Sequence, residues 1–213
     1  MVGVMEISTN SFTDGAPIPE RYALAKPDPD DRVTFAGNVS PHLGWSDVPD
    51  ETRSFALICH DPDVPSRPDD VNQPDRECPA DLPRIDFFHW VLVDIPGDVR
   101  ALDEGEFSDG VVPRGKQARN GPRGTRQGLN DFTGWFSGDP DMEGSYFGYD
   151  GPAPPWNDSI IHHYVFTLYA LDVDRVDVDG DFTGPEVREA IQGHVLAEAS
   201  MQGTYTQNPR LLP

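Results

Sequence analysis

The chain of 213 residues carries 37 acidic and 16 basic side chains, a formal net charge of −21. That length holds one sizeable core, and an all-β chain of this size need not be divided; the expectation is one domain over 1–213. The charge excludes a general nucleic-acid-binding role, which needs a basic face.

The acids comprise 27 Asp and 10 Glu, and only Lys26 and Lys116 among the bases are lysines. So acidic a chain repels itself, and molar salt, with a screening length of roughly 3 Å, relieves that repulsion. The expected source is therefore a high-salt organism. Residues 1–15 show no basic-then-apolar leader, and no later run approaches the ~18 apolar residues of a membrane span, so a cytoplasmic location without integral membrane association is expected. Cys59 and Cys78 make no disulfide framework and read as free thiols, Cys59 in an apolar strand and Cys78 in a polar loop.

In chain order, strand signals dominate. Arg53–His60 is short, apolar and runs into the Asp61-Pro62-Asp63 turn. Phe87–Asp94 is almost continuously apolar, as in a strand buried on both faces. His162–Leu171 is aromatic and β-branched. Alternation places Phe87 with His89, and His162 with Tyr164 and Phe166. Late in the chain Pro185, Glu186 and Glu189 suit a helix start, and Val187, Ala190, Ile191 and Val195 recur at helical spacing. That helix is expected to end at Gly203, with a last short strand from Tyr205. Many strands with late helices indicate a β-rich sandwich with peripheral helices.

Three loops interrupt this pattern. Ser66–Arg84 is polar and Pro-rich, and Thr133–Gly148 is Gly-rich with acids and aromatics. Pro113–Gln127 holds Arg114, Lys116, Arg119, Arg123 and Arg126 and no acid. Those five bases have two main readings: neutralisation of acidic neighbours or a second subunit, or a guide for an anionic ligand.

The candidate chemistry gathers at strand ends. Pro62 stiffens the backbone between Asp61 and Asp63, and either carboxylate could cap the turn or orient an imidazole. His89 alone in an apolar strand reads first as a satisfied core residue. In the rigid Gly151-Pro152-Ala153-Pro154-Pro155 turn, the Gly151 and Ala153 amides are the available donors, since proline has none. No Gly-x-Ser-x-Gly elbow is present, so nucleophilic catalysis finds little support and a non-enzymatic protein is expected. A metal could be held by His89, His162, Asp61 and Asp63, but the spacings that mark such sites are missing; no metal or cofactor is expected.

These segments together resemble the phosphatidylethanolamine-binding proteins, in particular their bacterial and archaeal, Raf kinase inhibitor-like branch. The likeness runs through Ser40–Pro49 (SPHLGWSDVP), Thr52–Pro65 (TRSFALICHDPDVP), His89–Pro96 (HWVLVDIP), Gln127–Phe132 (QGLNDF), Gly148–Pro155 (GYDGPAPP) and His162–Asp172 (HHYVFTLYALD), then Gly193-His194 and Gly203-Thr204-Tyr205. With the charge, it points to a halophilic archaeon. It implies an antiparallel β-sandwich with a few peripheral and C-terminal helices, and a small pocket for phosphate-like anions and phospholipid head groups. It assigns that pocket to Asp61, Asp63, Pro65, Phe87, His89, Gly151, His162 and Tyr164. Partners implied are a small anion such as phosphate or phosphoethanolamine, with a homodimer as a further expectation. The alternative is a regulatory, kinase- or protease-inhibitor-like protein that grips a partner with the pocket and its rim loops. Three positions depart from the family pattern: Phe87 stands where Trp is usual, His163 where Arg is usual, and Ala153 where Cys is usual. Both Ser66–Arg84 and Thr133–Gly148 are longer than prokaryotic relatives usually have.

Overall fold

A computed structural model describes residues 4–212. The chain is mainly β with few helices, and its strand pairs are antiparallel. In order the elements are β1 (Glu6–Ser8), β2 (Ala25–Asp28), β3 (Arg32–Phe35), β4 (Leu43–Ser46), β5 (Ser54–Pro65), β6 (Arg84–Pro96), β7 (Ala101–Leu102), β8 (Arg126–Gln127), α1 (Phe132–Trp135), β9 (His162–Leu171), α2 (Gly184–Ala190) and β10 (Val195–Tyr205). Five strands form the main sheet in the order β10-β9-β5-β6-β8, and β1-β4-β7 form a second.

β5 lies at the centre of the main sheet, and its side chains alternate between two apolar clusters. Phe55, Leu57 and Cys59 enter one, which also takes Leu43 and Trp45 from β4 and Leu102 from β7. Ala56 and Ile58 enter the other, under α2, with Val187 and Ile191. The expected strand ending at His60 instead continues to Pro65, through an irregular pairing between Asp61 and Val64. Pro62 cannot donate to a ladder, so regular pairing lapses there and the strand bends.

On β6 the pairing passes from Trp90 opposite Cys59 directly to Phe88 opposite His60, leaving His89 unpaired as the bulged residue. Strict alternation would put His89 with Val91, yet Val91 packs under α2. The bulge re-aims His89, as such insertions commonly do beside functional sites.

The late helix is a correction. α2 stops at Ala190, and residues 195–205 form an edge strand paired along β9 rather than a helix ending at Gly203. Gly193 adopts a positive φ of 84°, which reverses the chain. Beyond it Ala197, Ala199, Met201, Gly203 and Tyr205 turn inward at every second position. Two alanines there mimic helical propensity, but pairing with β9 decides the conformation. Consequently no helix lies C-terminal to α2 among the described residues.

Both cysteines are free and buried, Cys78 included despite its polar loop. Among the described residues no helix is long and apolar enough to cross a membrane.

The basic segment turns its charges onto the protein. Arg119 pairs with Asp181, Arg123 with Glu106 at 2.7 Å, Arg126 with Asp94 at 2.5 Å, and Lys116 with Asp150 at 2.7 Å. Arg114 donates to the Pro140 carbonyl at 2.9 Å. For four of the five this is internal neutralisation, and none of the five lines the large cavity described below. Arg126 and Asp94 are nearly buried, and Arg126 also donates to the Val176 and Val178 carbonyls. Breaking such a pair strands a buried charge. Arg126→Met is expected to lower stability by about 3 kcal/mol at unchanged denaturant slope, measured by urea unfolding.

Candidate functional site

A cavity of about 610 Å³ opens where β5, β6, β9, α1 and the Ala153–Pro155 turn meet. Its floor holds Asp61, His89 and Tyr164, each at most 3% exposed. Its walls are largely apolar, including Phe87 and Ile85 from β6, Phe132 and Trp135 from α1, and Pro65 and Pro154. The charged lining side chains are Asp61, Asp86 and Asp131; no lysine or arginine reaches it among the described residues. α1 positions Asp131, whose carboxylate accepts the Phe88 amide at 2.8 Å. Burial holds that carboxyl above its ordinary range.

His89 sits among Phe87, Phe132 and Tyr164, with ring centroids 5.0, 5.3 and 5.1 Å away. Its Nδ1 lies 2.8 Å from the Asp150 carbonyl oxygen. A carbonyl only accepts, so Nδ1 carries the hydrogen and the neutral ring keeps a lone pair on Nε2. Burial drives its pKa down, outweighing the Asp61 charge and the Asp150 hydrogen bond. Tyr164 Oη is buried near Asp61 and makes no hydrogen bond of good geometry among the described residues. Burial, then the Asp61 charge, pushes its phenol well above the usual range.

His162 is in the opposite state. Its Nδ1 is 2.6 Å from Asp61 Oδ2 and its Nε2 is 3.0 Å from Asp158 Oδ2. Both partners are carboxylate oxygens, so both ring nitrogens are donors and the ring is a cation. Burial opposes that charge, but Asp158 and Asp61 outweigh it and raise the pKa to about 9. Arg84 completes the network, donating to Asp158 at 2.6 and 3.1 Å and to the Asp63 carbonyl at 2.8 Å. With the ring wholly buried and both nitrogens committed, His162 lies behind Asp61 and does not line the cavity.

The other predicted residues divide the same way. Pro65, Phe87 and Tyr164 line the cavity with Asp61 and His89, whereas Asp63 and Gly151 do not. Asp63 donates its amide to Asp61 Oδ1 at 2.8 Å, and its carboxylate accepts both the amide and Nδ1 of His163, each at 2.8 Å. The Gly151 amide is spent on Asn38 Oδ1 at 2.9 Å. A Cβ at Gly151 would lie 2.0 Å from the Tyr22 carbonyl oxygen, so glycine there serves close packing. The Ala153 amide, by contrast, donates to no acceptor among the described residues. No group of three or more His, Cys, Asp and Glu has metal-holding geometry among them either.

Sequence reading missed Asp158, Arg84, Asp131 and Trp135. Asp158 precedes His162 by four residues, a spacing meaningful only once the intervening turn is known.

A phosphatidylethanolamine-binding protein family model matches residues 8–206. The chain belongs to that family. UPF0098 protein YbhB of Escherichia coli is 33% identical over 203 residues, covering 95% of this chain and 100% of the relative. A UPF0098 protein of Methanothermobacter thermautotrophicus is 36% identical over 201 residues, covering 94% and 98%. The crystal structure of E. coli YbcL, described as a new member of the mammalian PEBP family, aligns with a TM-score of 0.68 at 26% identity, covering 96% of this chain and 99% of that one. A putative family homologue from Chlamydia trachomatis aligns at 0.62 with 29% identity, covering 95% and 97%. Among the described residues of this family member, the cavity and the sealed His162 cluster share one carboxylate, Asp61.

The sign of the His162 effect follows from its raised pKa. The folded ring holds its proton more tightly than the unfolded ring at ~6.5, so its stabilisation is full below pH ~6.5 and vanishes as pH rises through about 9. Wild-type unfolding free energy is expected to fall by a few kcal/mol across that window, and His162→Gln to flatten the profile, read by urea denaturation at stepped pH.

Proposed function

We propose that the protein is a non-enzymatic binding protein whose cavity takes a phosphate-like head group, free or on a phospholipid, only together with a proton. The carrying observation is the hydrogen bond between His89 Nδ1 and the Asp150 carbonyl, which leaves Nε2 an acceptor facing the cavity. With no fixed cation at the walls among the described residues and Asp61 on the floor, a dianion finds no side-chain charge there to balance it. A monoanionic phosphate ester suits the floor better. Its P–OH donates to Nε2, and its oxygens accept from the Ala153 amide. Alternatively the incoming anion charges His89, and the bond becomes charge-assisted. The aromatic walls suit the apolar remainder of such a ligand.

Binding therefore weakens as pH rises. Inorganic phosphate and phosphoethanolamine are expected to bind at least tenfold more tightly at pH 5.5 than at pH 8.5 by calorimetry, and His89→Ala to abolish both. Equal affinities at the two pH values would sink the reading.

The non-enzymatic part rests on the absence of a paired nucleophile: no hydroxyl or thiol bonds to His89 among the described residues. Burial also raises both thiols, Cys59 well up and Cys78 to about 11. Turnover of a phosphoester or acyl ester that disappears in His89→Ala would overturn it.

A second reading, a regulatory protein that grips a partner, draws on Ile85 and Trp135. They line the cavity yet are 52% and 49% exposed, so they offer apolar anchors at its mouth. A pull-down in high salt without a stoichiometric partner would count against it. The acid excess further favours a cytoplasmic protein of a halophile, and the family resemblance favours a sandwich packing of its antiparallel sheets. A melting temperature that does not rise from low salt to molar KCl would refute the halophilic origin.

A further inference from the structure

We propose that Lys116, from the basic segment, is the positioning residue that holds His89 in its proton-accepting tautomer by anchoring Asp150. The proposal rests on the reading of His89 as the proton acceptor of the cavity floor.

Asp150 is the hinge. Its side chain is only 2% exposed, yet it carries a formal charge. One carboxylate oxygen accepts from Lys116 Nζ at 2.7 Å and Asn38 Nδ2 at 2.8 Å, and the other from Asn130 Nδ2 at 2.8 Å. Lys116 Nζ also donates to the Tyr149 carbonyl at 2.8 Å, so it grips the backbone one residue earlier. The main chain of the same Asp150 then contacts His89 twice: its amide donates to the His89 carbonyl at 3.0 Å, and its carbonyl accepts Nδ1–H at 2.8 Å. Two asparagines satisfy hydrogen bonds but no charge; the ammonium alone neutralises the buried carboxylate.

Without Lys116, an uncompensated carboxylate sits one residue's width from the imidazole. The 149–150 backbone loses an anchor, and the carbonyl that selects the tautomer is freed to move. The other groups facing His89 are Asp61 on β5, with His162 behind it, Tyr164 on β9 and Asp131 at the N-cap of α1. None bonds to Asp150, so none replaces the lysine.

The test is ¹⁵N NMR of the His89 ring, assigned by the signal lost in His89→Gln, in wild type, Lys116→Met and Lys116→Arg. Wild type should show Nδ1–H and a bare Nε2 at pH 7. In Lys116→Met the tautomers should mix, the His89 titration should move up, and phosphate affinity at pH 5.5 should fall about tenfold, the low end of what losing a histidine's orienting partner costs. Lys116→Arg should restore all three. If Lys116→Met does not fold, Lys116→Gln, which keeps a donor and loses the charge, should still raise the titration. A folded variant with wild-type tautomer and titration overturns the proposal, as does wild-type His89 carrying Nε2–H. Failure of wild type to bind phosphate overturns the proposed function instead, since the ring spectra are read without ligand.

Discussion

A charged imidazole sealed between two carboxylates ties this molecule together. His162 at the start of β9 binds Asp61 from β5 and Asp158 from the preceding turn, and Arg84 at the start of β6 binds Asp158 in turn. Three segments distant in sequence, around Asp61, Arg84 and Asp158–His162, therefore meet through charge rather than apolar contact. Such a cluster is costly to desolvate and tolerable only because each charge has a partner of opposite sign. Its consequence for the cavity is direct: Asp61 is held rigidly at the floor, with its charge answered from behind.

Two histidines near one carboxylate thus sit in opposite protonation states. His162 has carboxylates at both nitrogens and is charged. His89 has a carbonyl at one nitrogen, aromatic rings around it and the cavity at the other, and is neutral. The difference arises from partners and desolvation, since the residue type is the same. It also divides their duties: His162 organises the fold around the cavity, and His89 presents chemistry to it. Asp63 and His163 form a third, more exposed pair beside this arrangement.

The surrounding loops are built into the structure. Thr133–Gly148 buries Met142 and Tyr146 in a small cluster with Phe132 and Leu24, against which Phe87 and Ala153 pack. Ser66–Arg84 wraps the Asn157 side chain, whose Nδ2 meets the carbonyls of Asp70, Gln73 and Arg76 and whose Oδ1 accepts the Asn72 amide. Neither arrangement shows in periodicity, because each depends on one or two buried side chains.

Strands β5, β6 and β9 were legible because continuous apolar and aromatic runs have few alternatives to a buried strand. The family pattern likewise brought Asp61, Pro65, Phe87, His89 and Tyr164 to one cavity on motif alone. β10 did not show as a strand because Val195 continues the helical apolar spacing of Val187, Ala190 and Ile191, whereas the ladder to β9 is a non-local interaction. The sequence by itself determined the composition of charge, the strands β5, β6 and β9, and some of the residues that line the cavity. Only the tertiary structure decided which histidine is charged, where the five basic side chains point, and that no lysine or arginine among the described residues lines the cavity. Protonation and ion pairing depend on distances of a few ångströms between residues up to about a hundred positions apart, such as His162 and Asp61, and local pattern carries no such information.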